Sequence, residues 1–463
     1  MMLRDFFVPP GFDEPPSQRR QHESLAPSGL SYEAATLAPS WLAEFAERFR
    51  RPAVGFKQGS KAWQQRAIKA WCQVADDWQT RKFLDAKPFF AALSAATGLS
   101  QKMLQEAVSK HFYFFDEALI KEWLKIVRRE REAQPECRRH HPALAFLVAA
   151  GNLPGVAILP VVHLSLLGIP TLVKSASAEP FLLPAILTTL ANYDPEVAAR
   201  LAVFNWPRSA SELTQAVTQH HPALAAFGDD GTMRQFAQYQ QRFADFGDRF
   251  SLAIIEPDGI KSTASAVAYD VCMFEQMGCL SPQAIFLLTN DWNRVEAFCR
   301  HLAGALGKMS EKIPVNKRTP AQHAAVQQWR GALAARDAAS EKVILLTSAG
   351  TDWTVAAAEH FDLDERVAYR FARVWPVPSL AEAMPILQQY RSRLQALALG
   401  SSLQERQKLL HDFPDLENAF SHTLKTIAGY MQVPAFDWLD LHPEWRRLTR
   451  GLRREAEVEI KSV

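Results

Sequence analysis

The sequence predicts an α/β protein: a doubly wound parallel sheet, a second α/β segment after it and a helical region before it. Three observations carry this. From residue 143 onward, short apolar runs alternate with helix-length amphipathic stretches. The runs are bounded by Gly, Pro, Asn and Ser. They are continuous rather than alternating, as in strands buried on both faces of a parallel sheet.

In order along the chain, residues 1–30 hold Pro9, Pro10, Pro15, Pro16 and Pro27 and read as an irregular extension. Residues 32–132 are helical in pattern. Trp63, Ala67, Trp71, Val74 and Trp78 recur at three to four positions, as do Leu119, Trp123, Ile126 and Val127. The Trp stripe reads as core packing rather than a ligand platform. Strands are expected at 143–149, 170–173, 201–204 and 222–227, and helices at 156–167, 181–192, 211–220 (opened by a serine cap) and 233–243. Ligands of such sheets bind outside the carboxyl ends of the strands, where Asn152, Lys174 and Gly228 fall. A second α/β segment starts with a strand at 250–255. A helix over 264–275, a strand at 284–288 and strands near 343–346 and 367–374 follow. Residues 404–463 read as mostly helical, ending in a charged, exposed stretch at 445–461.

Length, composition and charge set the class. A chain of 463 residues, 48% hydrophobic and 22% charged, has ample core for two to four domains. A formal charge of +2 gives nucleic-acid binding no bulk electrostatic support. The five cysteines (Cys72, Cys137, Cys272, Cys279 and Cys299) have no CxxC spacing, so neither a disulfide framework nor a metal site is expected, which suits the reducing cytoplasm. The N-terminus, Met-Met-Leu-Arg-Asp-Phe-Phe, lacks the apolar core of a signal peptide. The most apolar stretch, 143–173, is broken by Gly151, Pro154, Gly155, Pro160, Gly168 and Pro170 and reads as buried core, not a membrane span.

Four positions can carry chemistry. Cys279 lies in Met277-Gly278-Cys279-Leu280-Ser281-Pro282, read as a tight, exposed turn between helix and strand. It is either a thiolate placed to reach a carbonyl or a small buried apolar cysteine. Asn152, in Gly151-Asn152-Leu153-Pro154-Gly155, is either a turn asparagine or an amide donor for an oxyanion. Lys174 ends an apolar strand and is either a solvated edge charge or, with Ser175 and Ser177, a holder of ribose and phosphate. The turn Gly228-Asp229-Asp230-Gly231-Thr232 lacks the GxGxxG and Walker spacings. A glycine-started helix can still face a pyrophosphate, although Asp229 and Asp230 oppose close phosphate contact and can simply cap the helix. The basic cluster Arg128, Arg129, Arg131, Arg138, Arg139, His140 and His141 reads as solvated surface, or as a contact for carrier phosphates. The pairs His140-His141 and His220-His221 lack metal-ligand spacing and read as loops.

The order of these segments resembles one family. Ala150-Gly151-Asn152-Leu153-Pro154-Gly155, Leu172-Val173-Lys174-Ser175-Ala176-Ser177, Phe227-Gly228-Asp229-Asp230 and Gln276-Met277-Gly278-Cys279-Leu280-Ser281-Pro282 are similar to segments of the fatty acyl-CoA reductases. That family, which includes the reductase subunit of bacterial luminescence systems, belongs to the aldehyde dehydrogenase superfamily. The resemblance covers roughly residues 143–400, with Val377-Pro378-Ser379-Leu380 and Gln389-Tyr390-Arg391-Ser392 as further matching segments.

The resemblance implies an aldehyde-dehydrogenase-like fold: a helical region and dinucleotide-binding domain over 31–248, a catalytic thiol domain over 249–400 and a helical region over 401–463 packing on both. It implies Cys279 as nucleophile, Asn152 as oxyanion donor, and Lys174, Ser175 and Ser177, with Gly228 and Asp229, as the cofactor site. Many NAD-preferring relatives carry a carboxylate three residues after the lysine. Ser177 stands there, which favours NADPH, while Glu179 opposes that preference. The activating glutamate of aldehyde-oxidising members has no counterpart motif in Phe243-Ala244-Asp245-Phe246-Gly247-Asp248, where Asp245 is the one candidate substitute. The Asp248-Arg249 pair also differs from the acyl-CoA reductase pattern.

The implied activity is NADPH-dependent reduction of an acyl thioester, on CoA or an acyl-carrier protein, to an aldehyde through an acyl-enzyme. An acyl-transfer or synthetase partner and a homo-oligomer are expected with it. Two alternatives stay open: an aldehyde-oxidising NAD(P)-dependent dehydrogenase, and a catalytically silent partner of an acyl-transfer protein.

Overall fold

The computed structural model describes residues 3–16, 20–25, 30–51, 58–80, 87–112, 115–133, 142–151, 153–239, 243–256, 260–399, 403–414, 416, 424–425 and 443–450. The chain forms two compact units. One comprises Met1–Thr97, Val108–Gly247 and Pro434–Val463, and the other Gly98–Ala107 and Asp248–Val433. Residues 98–107 group with the second unit.

In the first unit, β1 (Arg20–Leu25) pairs antiparallel with β2 (Leu30–Ala35), Arg20 opposite Ala35. This corrects the expectation of irregular chain through residue 30. The prolines flank the strand and none lies inside it, so the ladder keeps its N–H donors. Arg4 and Arg20 both reach Glu33, at 2.8 and 3.1 Å. The helix Lys61–Gln79 is opened by Ser60, whose hydroxyl accepts from the Trp63 N–H. Its tryptophans point inward. The Trp63 indole donates to the Ser165 carbonyl, Trp71 to the Ser165 hydroxyl and Trp78 to Thr189. The stripe is core packing with each indole N–H satisfied.

The first unit's sheet contains β3 (Ala145–Val148), β4 (Thr171–Ser175), β5 (Leu201–Asn205), β6 (Ala223–Phe227) and β7 (Phe243–Phe246). All run parallel, in the order β5-β4-β3-β6-β7. The chain winds outward from β3 through β4 to β5, then returns to the other side of β3. The order therefore reverses there, and the ligand crevice of such sheets opens at the carboxyl ends of β3 and β6. Phe7 covers the outer edge of β5 through two backbone bonds with Val203.

Three expectations are corrected in this unit. The helix expected over 233–243 runs Asp230–Ala237, because Phe243 opens a strand whose side chains alternate between half-buried and buried. Ser211 is the first helical residue rather than a cap; Ala210 occupies the cap position and makes no side-chain bond. The stretch 445–461 is not exposed where it is described. The helix Pro443–Arg450 packs on β7, β6 and the helix Glu117–Ala133. Trp445 is fully buried and donates to His163 Nδ1 at 3.2 Å. Residues 451–463 lie outside the described residues.

The second unit's sheet has β8 (Phe250–Ile255), β9 (Pro282–Leu288), β10 (Val343–Thr347), β11 (Thr354–Ala358), β12 (Phe371–Val377), β13 (Leu394–Leu399) and β14 (Leu424–Lys425), in the order β10-β11-β12-β9-β8-β13-β14. Only β10 and β11 pair antiparallel. Alternate residues of β8 and β9 feed two cores. Ala253, Ile255, Ile285 and Leu287 face one, and Leu252, Ile254, Ala284 and Phe286 face the other. The strand expected over 367–374 begins later, at Phe371, because Tyr369 and Arg370 are left-handed, with φ of 62° and 61°.

Candidate functional site

In the first unit, the predicted cofactor residues lie at the carboxyl ends of β4 and β6. Lys174 is opposite Phe204 and Ser175 opposite Asn205 in the β4–β5 register. Lys174 is buried, its Nζ 5.6 Å from the centre of the Trp206 ring. Burial, and then the neighbouring Arg208 charge, bring its ammonium down to about 8. A cation held this dry favours an anion that can replace lost water. Ser175 is also buried, and its hydroxyl donates to the Phe204 carbonyl within the sheet. Ser177 is exposed, 3.5 Å from Asn205 Oδ1. Ser177, not Ser175, therefore offers its hydroxyl outward.

Glu179 is committed to the backbone. Its carboxylate accepts from the backbone N–H groups of Phe181 and Leu182, at 3.0 and 2.7 Å, and from Gly155. Burial pushes it up to about 7 despite those bonds. A carboxylate committed to backbone donors is not presented to a ribose hydroxyl.

At Gly228 space is tight: a Cβ there would stand 3.1 Å from Thr232 side-chain atoms. Asp229 caps the helix Asp230–Ala237, accepting from the Thr232 N–H and hydroxyl at 2.6 and 2.8 Å. These bonds hold it below the usual carboxylate range. Arg208 reaches Asp229 at 3.3 Å. The side chain of Asp229 is thus a cap and an anchor for Arg208.

The Gly151–Pro154 turn follows β3. Asn152 lies outside the described residues. Its neighbour Gly155 has φ +81°, and a Cβ there would fall 2.6 Å from His111 Nε2. His111 Nε2 donates to the Pro154 carbonyl at 3.1 Å. Burial lowers this imidazole to about 4, so it is neutral and braces the loop by contact and hydrogen bond. Asp245 folds onto its own chain, accepting from the Gly247 N–H at 2.7 Å. Of the basic cluster, residues 138–141 lie outside the described residues. The His220-His221 pair forms the turn after the helix Ser211–Thr218, as read.

In the second unit, Cys279 lies between Met273–Gln276, a short 3₁₀ segment, and β9. It is half-buried. Its carbonyl accepts from the buried Ser251 hydroxyl at 2.7 Å, and the Ser281 N–H donates to the Gly278 carbonyl at 3.0 Å. Gln276 Nε2 donates to Pro282 and Phe371 carbonyls at 2.9 and 3.1 Å, tying the start of the loop to its end. The backbone strain lies upstream of Gly278. Phe274, Glu275 and Gln276 have φ of 51°, 55° and 62°. Each such non-glycine residue costs about 1–2 kcal/mol. Glu275 is buried with two arginines: Arg370 at 2.6 Å and Arg318 at 2.8 Å.

The other described thiols are unsuited to attack. Cys272 and Cys299 are buried and pushed up to about 12, and burial also raises Cys72. Cys137 lies outside the described residues. No group of metal-ligating side chains occurs among the described residues.

Residues 65–413 match the family described as acyl-CoA reductase (LuxC). The chain belongs to the LuxC acyl-CoA reductase family. A long-chain acyl-protein thioester reductase of Photorhabdus laumondii is 26% identical over 216 residues, 45% of this chain and 42% of that protein. Long-chain acyl-protein thioester reductase 2 of Photobacterium leiognathi is 22% identical over 287 residues, 60% of this chain and 57% of that one. The matches thus span about half the length of these relatives. An aldehyde dehydrogenase from Brucella melitensis superposes with a TM-score of 0.60 at 11% identity, covering 88% of this chain and 87% of that structure. The fold is aldehyde-dehydrogenase-like.

Three site residues of this LuxC-family chain escape sequence reading. Arg208 meets Asp229 and His111 meets Pro154 from distant points in the chain, while Glu275 lies only four residues before Cys279 and finds its partners, Arg318 and Arg370, far along the chain. Arg208 follows Trp206-Pro207 as an ordinary loop arginine. Only the Glu275-Gln276 pair beside the Cys279 turn offered a local signal, because charged and amide residues next to a buried turn require partners.

Proposed function

We propose that this chain reduces an acyl thioester, on CoA or a carrier protein, to an aldehyde with NADPH through an acyl-enzyme on Cys279. The observation that carries it is the contrast among the thiols: Cys279 alone, among the described cysteines of the second unit, is not sealed in the core. Family membership supports the reaction class, and the thioester reductases of Photorhabdus and Photobacterium point to long acyl chains.

For the cofactor, the donor set fits a phosphorylated ribose. Lys174 supplies a desolvated cation, Arg208 a second cation anchored by Asp229, and Ser177 an exposed hydroxyl. No carboxylate stands three residues after Lys174, and Glu179 is turned to the backbone. When bound, NADPH supplies the hydride.

The Cys279 thiolate attacks the thioester carbonyl carbon, forming the new C–S bond. Asn152 and the Cys279 N–H stabilise the oxyanion, at about 3 kcal/mol per donor in comparable sites. The carrier thiolate leaves as the carbonyl re-forms and takes a proton from solvent, so Cys279 carries the acyl group. Absence of a hydrolytic glutamate motif protects that acyl group from water, and Asp245 is already bonded to Gly247. Such chemistry belongs in a reducing cytoplasm, with an acyl-transfer or synthetase partner supplying the thioester.

The test is incubation with radiolabelled acyl-CoA and acyl-carrier protein, followed by NADPH oxidation with the aldehyde trapped. Wild type is expected to become labelled and Cys279→Ala to remain unlabelled. Labelling of the alanine variant would remove Cys279 as nucleophile. Release of free acid from aldehyde and NADP, with no thioester reduction, would indicate the aldehyde-oxidising alternative.

A further inference from the structure

Glu275 lies four residues before Cys279, in the middle of three consecutive left-handed residues. Nothing in the sheet topology demands that conformation: β9 needs only a connection from the helix Ile260–Cys272. The turn is held by an ionic cluster inside the second unit. Glu275 Oε1 accepts from Arg370 Nε and Nη2 at 3.1 and 2.6 Å, and Oε2 from Arg318 Nη2 at 2.8 Å. The side chains are 9%, 0% and 4% exposed, for Glu275, Arg370 and Arg318 respectively.

Both arginines are fixed independently of the carboxylate. Arg370 donates to Ser310 and to the Ile313 carbonyl. Arg318 donates to the Thr351, Asp352 and Tyr369 carbonyls. The Glu275 carbonyl also accepts from the Tyr369 N–H at 2.7 Å, so the left-handed pair Tyr369-Arg370 is bonded to the left-handed turn before Cys279. Two burdens coincide here, a strained turn and buried charge. Such features persist where the surroundings over-determine them, and they cluster at functional sites.

We propose that Glu275 is the positioning residue for the Cys279 thiol. Its carboxylate, gripped by Arg370 and Arg318, locks the turn that sets where the Gln276–Pro282 loop begins and hence where the sulfur points. The Gln276 clip to the Pro282 carbonyl and the Ser251 bond to the Cys279 carbonyl hold the rest of the loop. This rests on Cys279 being the acylated nucleophile. Glu275 does not touch the reacting atoms. It acts through geometry, where displacement by about 1 Å can cost about a hundredfold in rate.

The test compares two reactions of one thiol in the full-length protein. Iodoacetamide alkylation needs an accessible sulfur; acylation by an acyl-CoA also needs an aimed one. In Glu275→Gln, the acylation rate per titratable Cys279 is expected to fall by about tenfold or more, with alkylation and the thioester KM within about threefold of wild type. Glu275→Asp, which keeps the charge but shortens the reach, is expected to acylate at an intermediate rate. It becomes the deciding variant should the glutamine variant fail to fold. Acylation per titratable thiol within about twofold of wild type overturns the proposal, as does a parallel loss of both reactions, which marks a purely structural role. Wild type that is alkylated but never acylated defeats the thioester-reductase reading itself. Acylated wild type with an unaffected Glu275→Gln defeats only the positioning role.

Discussion

Arg370 places two of its nitrogens on a single oxygen of Glu275, at 2.6 and 3.1 Å, with its own side chain fully buried. Truncating Arg370 removes two of the buried carboxylate's three arginine bonds and leaves it with Arg318 alone. Arg370→Ala is expected to destabilise the chain by about 3–5 kcal/mol, read as a lowered urea midpoint. A loss below about 1 kcal/mol would mean that water reaches the pair.

Glu179 makes stability depend on pH. Its ordinary value is 4.5 and its folded value about 7, raised chiefly by burial. Between these, the folded chain holds a proton that the unfolded chain releases, so stability is fully present below pH 4.5 and is lost as pH rises through about 7. Asp5, raised to about 7 by burial, adds in the same direction. Glu179→Gln is expected to flatten part of this slope and, at pH 8, to exceed wild type by about 3 kcal/mol in urea unfolding. Equal slopes in the two proteins would refute the assignment.

If Lys174 holds NADPH as proposed, cofactor affinity is expected to depend on pH with a definite sign. Its ammonium loses its proton near pH 8, so NADPH affinity is expected to be highest below that and to decline above it. Lys174→Met is expected to lose about tenfold or more in affinity and the alkaline decline with it. Quenching of protein fluorescence by NADPH across pH 6–9.5 (roughly the range that brackets the ammonium) measures both. A methionine variant that still shows the decline would assign it to another group.

Gly155 has no room for a side chain. At φ +81°, and with His111 Nε2 2.6 Å from the Cβ position, Gly155→Ala is expected to cost about 1–3 kcal/mol. His111→Ala removes the imidazole part of the collision, with Ile158 Cδ1 still 2.9 Å from the Cβ position, and also the brace on Pro154. The double variant is therefore expected to be more stable than the sum of the two single losses predicts. Strict additivity in thermal unfolding would show that the two residues do not meet.

The first unit's sheet is largely legible in the sequence, because its strands are continuous apolar runs punctuated by glycine and proline. β11 and β13 are not. Thr-Val-Ala-Ala-Ala and Leu-Gln-Ala-Leu-Ala-Leu are rich in strong helix formers, and burial between neighbouring strands overrides that propensity. Lys174 and Cys279 could be singled out from the sequence by their places at a strand end and in a turn, each with a plain structural reading beside the chemical one. What supports them could not. Arg208, Arg318 and Arg370 look like any other arginines until folding puts each against its carboxylate. The left-handed turn was not legible, because Phe274, Glu275 and Gln276 are not residue types that favour positive φ.

The helix carrying Trp445 has a consequence for biosynthesis. It seats against β7, which is translated long before it, while the whole second sheet lies between them in the chain. During translation the second sheet can assemble while the first still waits for its last wall. Until Trp445 arrives, Phe246 and His163 stay uncovered on that side, a window in which a chaperone has something to hold.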